Sequence, residues 1–487
     1  MPVPALPGFL HNLIPPTPLS KRLATQSLLF AAGDGTFNTA AAFYLVAFVG
    51  LSPAQIGVGL TVAGIASFLT AYPMGRLADV IGPKRIWAIS ALISALMFAT
   101  MPFIHGFWAY LAVIVVFEVV NNAGGAGRNA YVLDVLPDKE RVETQAFMYS
   151  SLNLGFTIGA LIAGIALAMD TDAVLKWGVP FFALAIGIAN SVWITRLPKA
   201  PHDERRAAGE VTEKLPGPGA LRNVGWLLVT TFTGTLWSNQ VLLHTVIPLW
   251  LVEYTDSPRW LLAWLFATNT VLCIILPAYT SKGVHSVRDA LRRVWWSSAF
   301  FVAACAITLV THDTRGILTI FLVWVGHVAV TGAELAIGSA GWAFQAELMD
   351  PARRGEYEGV AGIGRQLGGA WAPALFTFLA MGWHPEFYSG AGWIVIGAII
   401  VAAAAAMGPS TRMARTFQGD PLPARERARA GRRLARTGGS AQDPGDPLAE
   451  VGAPASPRRA GRCGSRRGRP PGCRRRASTA SSRRSRR

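Results

Sequence analysis

Charge is scarce in this chain. Only 15% of its 487 residues are charged, and 28 acids stand against 45 Lys and Arg. A water-soluble chain of this size carries about a quarter charged residues, so a soluble globular class is disfavoured. Cysteine is equally sparse. Cys273 and Cys305 fall in separate apolar runs, Cys463 and Cys473 in a polar tail, and none has metal-ligand spacing. No metal site is therefore expected. There is also no phosphate-cradling glycine loop and no catalytic cluster outside the apolar runs, so no enzyme and no cofactor are expected. A cleavable signal peptide is not evident: prolines at 2, 4, 7, 15, 16 and 18 lead to Lys21-Arg22 and straight into an apolar run.

What is abundant is apolar length. The composition is 52% hydrophobic with 16 Trp. Twelve runs are long enough to cross a bilayer, for which about 20 residues suffice. They lie at 24–50, 52–74, 86–105, 107–130, 144–169, 174–195, 224–251, 259–280, 291–311, 316–342, 359–382 and 388–407. Their connecting segments divide the basic residues unequally. With a cytoplasmic N-terminus, 42 of the 45 Lys and Arg fall on the cytoplasmic side, leaving Lys176, Arg259 and Arg315. The positive-inside rule then places both termini in the cytoplasm of a multi-pass cell-membrane protein.

The basic balance belongs to the tail. Residues 409–487 hold 21 Arg, no Lys and five acids, which is +16 of the chain's +17. Rich in Arg, Gly, Pro, Ser and Ala and without apolar periodicity, this tail is expected to be disordered. Contact with anionic lipid is plausible there. Phe417 is the one aromatic residue of this tail and no aromatics are interleaved with the arginines for stacking, so specific nucleic-acid binding is not expected.

The chain also repeats itself. Ala130-Tyr-Val-Leu-Asp-Val-Leu-Pro-Asp-Lys-Glu-Arg141 matches Ala343-Phe-Gln-Ala-Glu-Leu-Met-Asp-Pro-Ala-Arg-Arg354 at an offset of 213. Asn153 and Gly155 then answer Gln366 and Gly368, and Ala71 to Trp87 answers Ala278 to Trp295 with a weakened loop. Two six-span halves account for both matches. The division is an N-terminal segment 1–22, a first half 23–195, a linker 196–222, a second half 223–408 and the tail 409–487.

The stretch Gly75-Arg-Leu-Ala-Asp-Val-Ile-Gly-Pro-Lys-Arg-Ile-Trp87 reads as a short charged loop between the second and third runs. It resembles the signature loop of the major facilitator superfamily, in which a Gly, an Asp four residues on, a second Gly and a basic cluster recur. The resemblance covers residues 20–408 and is weakest in the second-half loop, which lacks the acid. It implies an all-α membrane fold of twelve helices in two pseudo-symmetric halves, with a substrate site between them near the midplane. By this resemblance Asp79 pairs with basic groups at neighbouring helix ends and faces the N-terminus of the eleventh span, where unpaired N–H groups favour an anion. Gly75, Gly82, Lys84, Arg85, Arg128 and Asp134 complete the expected gating set.

Polar residues inside the spans mark a pathway, because charge at mid-membrane is costly. Asp34 lies about 11 residues, or ~16 Å, into the first span, with Asn38 one turn on. Glu118 is comparably deep in the fourth, with Asn121 and Asn122 along its face. Gln240 and His244 mark the seventh span, and His327, Thr331 and Glu334 form a stripe in the tenth, with Glu334 expected toward the cytoplasmic end and partly buried. In the resembling family, spans one, four, seven and ten line the cavity.

Direction follows from the fifth span, Asn153-Leu-Gly-Phe-Thr-Ile-Gly-Ala-Leu-Ile-Ala-Gly164. It resembles the glycine motif of the drug-exporting branch, although Ala160 and Ala163 stand where that motif has Pro and Gly. The expectation is a monomeric secondary transporter that exports an amphipathic small molecule against a proton gradient. A proton-coupled importer of a sugar, organic acid or peptide would use the same parts. A membrane scaffold or enzyme is the rival of another class.

Overall fold

The structure is a computed structural model and describes residues 14–169, 171–201, 204, 218–383, 385 and 390–419. Of the expected tail, residues 420–487 lie outside these residues, as do most of the N-terminal segment and much of the linker. Its first residues are described and correct the expectation of disorder: 409–417 continue the last helix, with Ser410, Thr411 and Ala414 buried, because burial of that face favours continuing a helix that is already formed. Everything described is helix, turn or connecting coil, with no strand among the described residues.

Among the described residues twelve principal helical segments follow one another. In the first half they are α1 (Pro18–Ala47), α2 (Pro53–Ile81), α3 (Pro83–Thr100), α4 (Phe107–Val135), α5 (Arg141–Ala168) and α6 (Val179–Thr195). In the second half α7 is assembled from Val224–Leu236, Asn239–Val241, Leu242–Val246 and Ile247–Tyr254, and α8 is Leu261–Ile275 with a short continuation, Pro277–Thr280. Then come α9 (Val287–Val310), α10 (Ile317–Leu348), α11 (Arg354–Gly369, continued by Ala372–Thr377 and Phe378–Gly382) and α12 (Ala391–Phe417). Eight of these, α2 to α6, α9, α10 and α12, are by themselves long and apolar enough to cross a membrane. The other four are interrupted or more polar.

Proline explains two of the irregularities. Pro180 and Pro248 stand at the first turns of α6 and of the last part of α7, and each is preceded by a π-turn, Val174–Gly178 and Leu242–Val246. A proline lacks an N–H and its ring crowds the carbonyl four residues back, so the helix widens there. The carbonyl freed at Lys176 accepts from the Tyr44 hydroxyl at 3.2 Å.

Boundaries differ from the sequence expectation, most consequentially after Gly75. The charged stretch after Gly75 is the last two turns of α2, not a loop, and the chain turns only at Gly82. Nothing in Arg76–Ile81 breaks a helix. Gly82 adopts φ +107°, in the left-handed region that favours glycine, and Pro83 opens α3.

The helices pair alike in the two halves. In the first, α1 packs on α5 and α6, α2 on α4, and α3 on α4 and α6; in the second, α7 packs on α11 and α12, α8 on α10, and α9 on α10 and α12. Glycine permits the tightest of these pairs. A Cβ at Gly155 or Gly159 of α5 would lie 2.4 Å from the carbonyl oxygens of Leu28 and Ala32 of α1. Gly368 of α11 meets the Thr231 carbonyl oxygen of α7 in the same manner, and Gly364 lies against the Thr230 side chain. Backbones at such range gain dispersion and exclude lipid. The halves themselves touch where α2 and α4 meet α11, and where α5 meets α8 and α10.

Candidate functional site

Polar contacts between the halves start at one face of the bundle, the face carrying Gly82. The carboxylate of Asp79, 2% exposed, accepts backbone N–H groups of Gly355 and Glu356 at the start of α11, each at 2.7 Å. Those amides have no partner within their own helix, and the helix dipole adds to the attraction for an anion. Close approach depends on glycine on both sides: a Cβ at Gly75 would stand 2.2 Å from the Gly355 oxygen, and one at Gly359 would stand 2.4 Å from the Ala71 oxygen. Beside Asp79, the buried Glu356 accepts from the Tyr72 hydroxyl at 3.0 Å, the Ala220 N–H at 2.7 Å and Arg353 Nη1 at 2.8 Å.

The expected charge network takes a different form. Asp79 makes no ion pair among the described residues; its partners are amides. Asp134 instead pairs across the halves with Arg354 at 3.2 Å, both side chains about one tenth exposed, at 10% and 9%. Lys84 donates to the carbonyls of Thr195, at 3.0 Å, and of Leu197, capping the end of α6 within its own half. Arg85 is exposed and makes no ion pair among the described residues. Arg128 lies one to two turns deeper and donates from Nη2 to Ser27 Oγ at 3.1 Å. The helical continuation of α2 is the reason: it rotates Lys84 and Arg85 past the turn and leaves only Asp79 facing α11.

Between the halves lies a cavity of about 360 Å³, bounded by α4, α5, α7, α10 and α11. Its apolar walls include Tyr149, Trp226, Trp237 and Trp342, and its polar ones Arg128, Glu358 and Arg365. Such a volume accepts a small organic molecule. A second cavity of about 200 Å³ lies inside the first half, lined by Asp34, Asn121, Gln26, Asn190 and, from its other side, Arg128. Asp34 reaches Asn38 one turn on, with Glu118 in electrostatic range.

The pathway residues thus separate into two groups, and Gln240 joins neither. Asn121 turns toward α3, accepting from Ser94 at 3.4 Å, whereas Asn122 donates to the Ser67 carbonyl of α2 at 2.8 Å and to Thr70 Oγ1 at 3.1 Å. These two residues therefore do not share one wall, because adjacent positions on a helix diverge by about 100°. In the second half, Glu334 is 4% exposed and sits mid-helix in α10, deeper than the sequence suggested. It accepts from Asn269 Nδ2 of α8 at 3.1 Å and from the Tyr149 hydroxyl of α5. His244, at the π-turn of α7, stacks on Phe266 at 5.5 Å, and the buried His327 meets the same ring edge-on at 6.3 Å. The Gln240 side chain donates to its neighbour Asn239 at 3.5 Å, its one side-chain hydrogen bond among the described residues.

Four residues of these clusters escaped the sequence reading: Tyr149, Asn269, Glu356 and Glu358. Asn269 carried a signal, an amide deep in the apolar run Leu261–Ile275. Glu356 and Glu358 precede the hydropathic edge at 359, but α11 starts at Arg354 and takes both acids into the helix.

Comparison with known proteins agrees with this architecture. The family model described as Major Facilitator Superfamily matches residues 23–373. A multidrug resistance protein, MdtH of Enterobacter sp. (strain 638), is 24% identical over 358 residues, covering 71% of this chain and 84% of that protein. Among solved structures, a bacterial homologue of the iron transporter ferroportin in an outward-facing state has TM-score 0.59 at 13% identity, covering 83% of this chain and all of that one. The proton:xylose symporter XylE has TM-score 0.57 at 14% identity, covering 82% and 95%. At these identities the solved structures speak for the fold, and the family match spans most of the chain. The chain belongs to the Major Facilitator Superfamily, whose members carry small molecules across membranes and are not enzymes.

Proposed function

We propose that this chain exports a small amphipathic compound from the cytoplasm by alternating access, in exchange for protons. The observation that carries the reading is the cavity of about 360 Å³ between the halves, walled by indole rings beside a few polar groups. Aromatic walls favour flat apolar bodies, and isolated polar groups orient a polar end. The positive-inside assignment makes the Gly82 face cytoplasmic, and the contacts of Asp79 with α11 hold that face closed. Likeness to a protein named for multidrug resistance supports the direction.

Asp34 and Glu118 are the proton carriers in this reading. Both are only partly exposed, and Asp34 borders the inner cavity of the first half. One of them releases its proton to the cytoplasm as the compound binds and is reloaded from outside after the halves rock. The protein acts as a monomer in the cell membrane, both termini cytoplasmic, and needs no cofactor beyond the gradient.

Inside-out vesicles with an acidified lumen test this directly. Addition of an exported compound is expected to collapse the proton gradient, and Asp34→Asn or Glu118→Gln to abolish the response. Substrate-driven proton uptake in right-side-out vesicles, with silence in the inverted ones, would make the chain an importer.

A further inference from the structure

The charges around the cavity do not balance. Of the residues lining it, only Arg128, Arg365 and Glu358 carry formal charge. Glu358 is committed: it accepts Arg365 Nη2 at 2.9 Å on one oxygen and Gln345 Nε2 at 3.1 Å on the other. Arg128 makes no ion pair among the described residues; Glu358 lies within electrostatic range of it but is hydrogen-bonded elsewhere. The one hydrogen bond of Arg128 among the described residues goes to the neutral Ser27 hydroxyl, and its Nε is buried with no partner. Asp34, in the smaller cavity on the other side of Arg128, makes no ion pair with it. Two guanidinium groups thus share one carboxylate.

A guanidinium withdrawn from bulk water is costly unless an anion or a full set of acceptors compensates it. Arg128 has free donors in the planar fork that a carboxylate or sulfonate matches in bidentate fashion. The aromatic walls begin next to it, with Tyr149, Trp226, Trp237 and Trp342 bounding the same space. An anionic head with an aromatic or otherwise apolar body fills both requirements at once. A cationic compound would meet a net positive wall instead, and like-charge juxtaposition disfavours it.

We infer that the cavity between the halves selects an amphipathic monoanion, its carboxylate or sulfonate held by Arg128 and its apolar body against the tryptophans. Arg365, neutralised by Glu358, sits at the rim of the same positive wall. The inference rests on the export reading above and narrows it to a charge class.

Three probes of one shape and different charge decide it: 2-naphthoate, 2-naphthylmethanol and 2-naphthylmethylammonium. Binding to the full chain in lipid nanodiscs is measured by calorimetric titration against empty discs, followed by export of each probe from loaded vesicles. Naphthoate is expected to bind at least tenfold more tightly than either of the others. Arg128→Gln is expected to reduce that preference to threefold or less while the alcohol changes by less than twofold; Arg128→Lys, which keeps the charge, retains the order. Glu358→Gln is expected to widen the preference. Arg365→Gln, at a side chain 38% exposed, gives a second charge deletion should Arg128→Gln fail to fold, and is expected to weaken naphthoate selectively. Binding and export of the ammonium or the alcohol as well as naphthoate would overturn the inference and leave the exporter reading standing. Failure of all three to bind would overturn both.

Discussion

The hydroxyl of Tyr149 in α5 donates to the Glu334 carboxylate in α10, so one half of the molecule supplies a donor to a buried acid of the other. Asn269 of α8 supplies another, at 3.1 Å. A hydrogen bond to a charged group is worth about 1.5–3 kcal/mol, and this one exists only while the halves are together at that depth. Tyr149→Phe removes it without changing the packing against Trp342. The expected result is a transporter of normal thermal stability whose balance moves about tenfold or more away from the described state. Distances between spin labels on α5 and α10 would read that shift; an unchanged distance distribution would remove Tyr149 from the mechanism.

At the Gly82 face the same logic applies to Asp79. Asparagine presents one acceptor oxygen where the carboxylate presents two, and sets its own N–H groups against those of Gly355 or Glu356. Asp79→Asn is therefore expected to weaken the closed contact by about 2 kcal/mol. Hydrogen exchange at the Gly355 and Glu356 amides, buried behind the carboxylate in the described state, should quicken roughly 30-fold, since 1.4 kcal/mol is a factor of ten. Equal exchange in both proteins would mean that the carboxylate does not hold α11.

Glycine is required where α2 crosses α11. Gly75→Ala would place a methyl carbon 2.2 Å from the Gly355 oxygen, and that contact is to backbone, which has little room to move. Transport is expected to fall more than tenfold at unchanged membrane abundance. Gly57→Ala, where nothing lies within 4 Å, is the matched control and is expected to transport normally.

The Asp134–Arg354 pair is nearly buried, and deleting one partner of such a pair costs about 3 kcal/mol. Arg354→Ala is expected to reduce transport severely. The exchange of both, Asp134→Arg with Arg354→Asp, should recover a substantial part of it. A double variant as poor as the single would show that the pair's orientation matters, and its attraction does not.

Much of the fold was readable because membrane crossing imposes simple length and polarity rules. Twelve apolar runs, the inward bias of Lys and Arg and the offset of 213 between Asp134 and Glu347 lead to two helical halves. Boundaries were less readable. Hydropathy ends a span where polar residues begin, but a helix continues until a residue breaks it, so α2 runs on to Ile81 and α11 begins already at Arg354. That shift put Glu356 and Glu358 beyond the reach of a hydropathy argument.

The candidate site shows the same division. Sequence pointed to acids and amides in spans one, four, seven and ten, since a polar group in hydrocarbon needs a reason. Sequence also set Asp79 opposite the start of the eleventh span, through a resemblance that carries the spacing of its glycines. Which groups meet was decided only by packing. Asn121 and Asn122, neighbours in the chain, face different helices. Arg128, grouped by sequence with the charges at the turn, borders two cavities and makes no ion pair among the described residues. The chain by itself determined which segments cross the membrane and how they repeat, because those follow from composition along a line. The tertiary structure decided which side chain partners which, because hydrogen bonds and ion pairs depend on rotation about each helix axis and on approach distances that glycine permits.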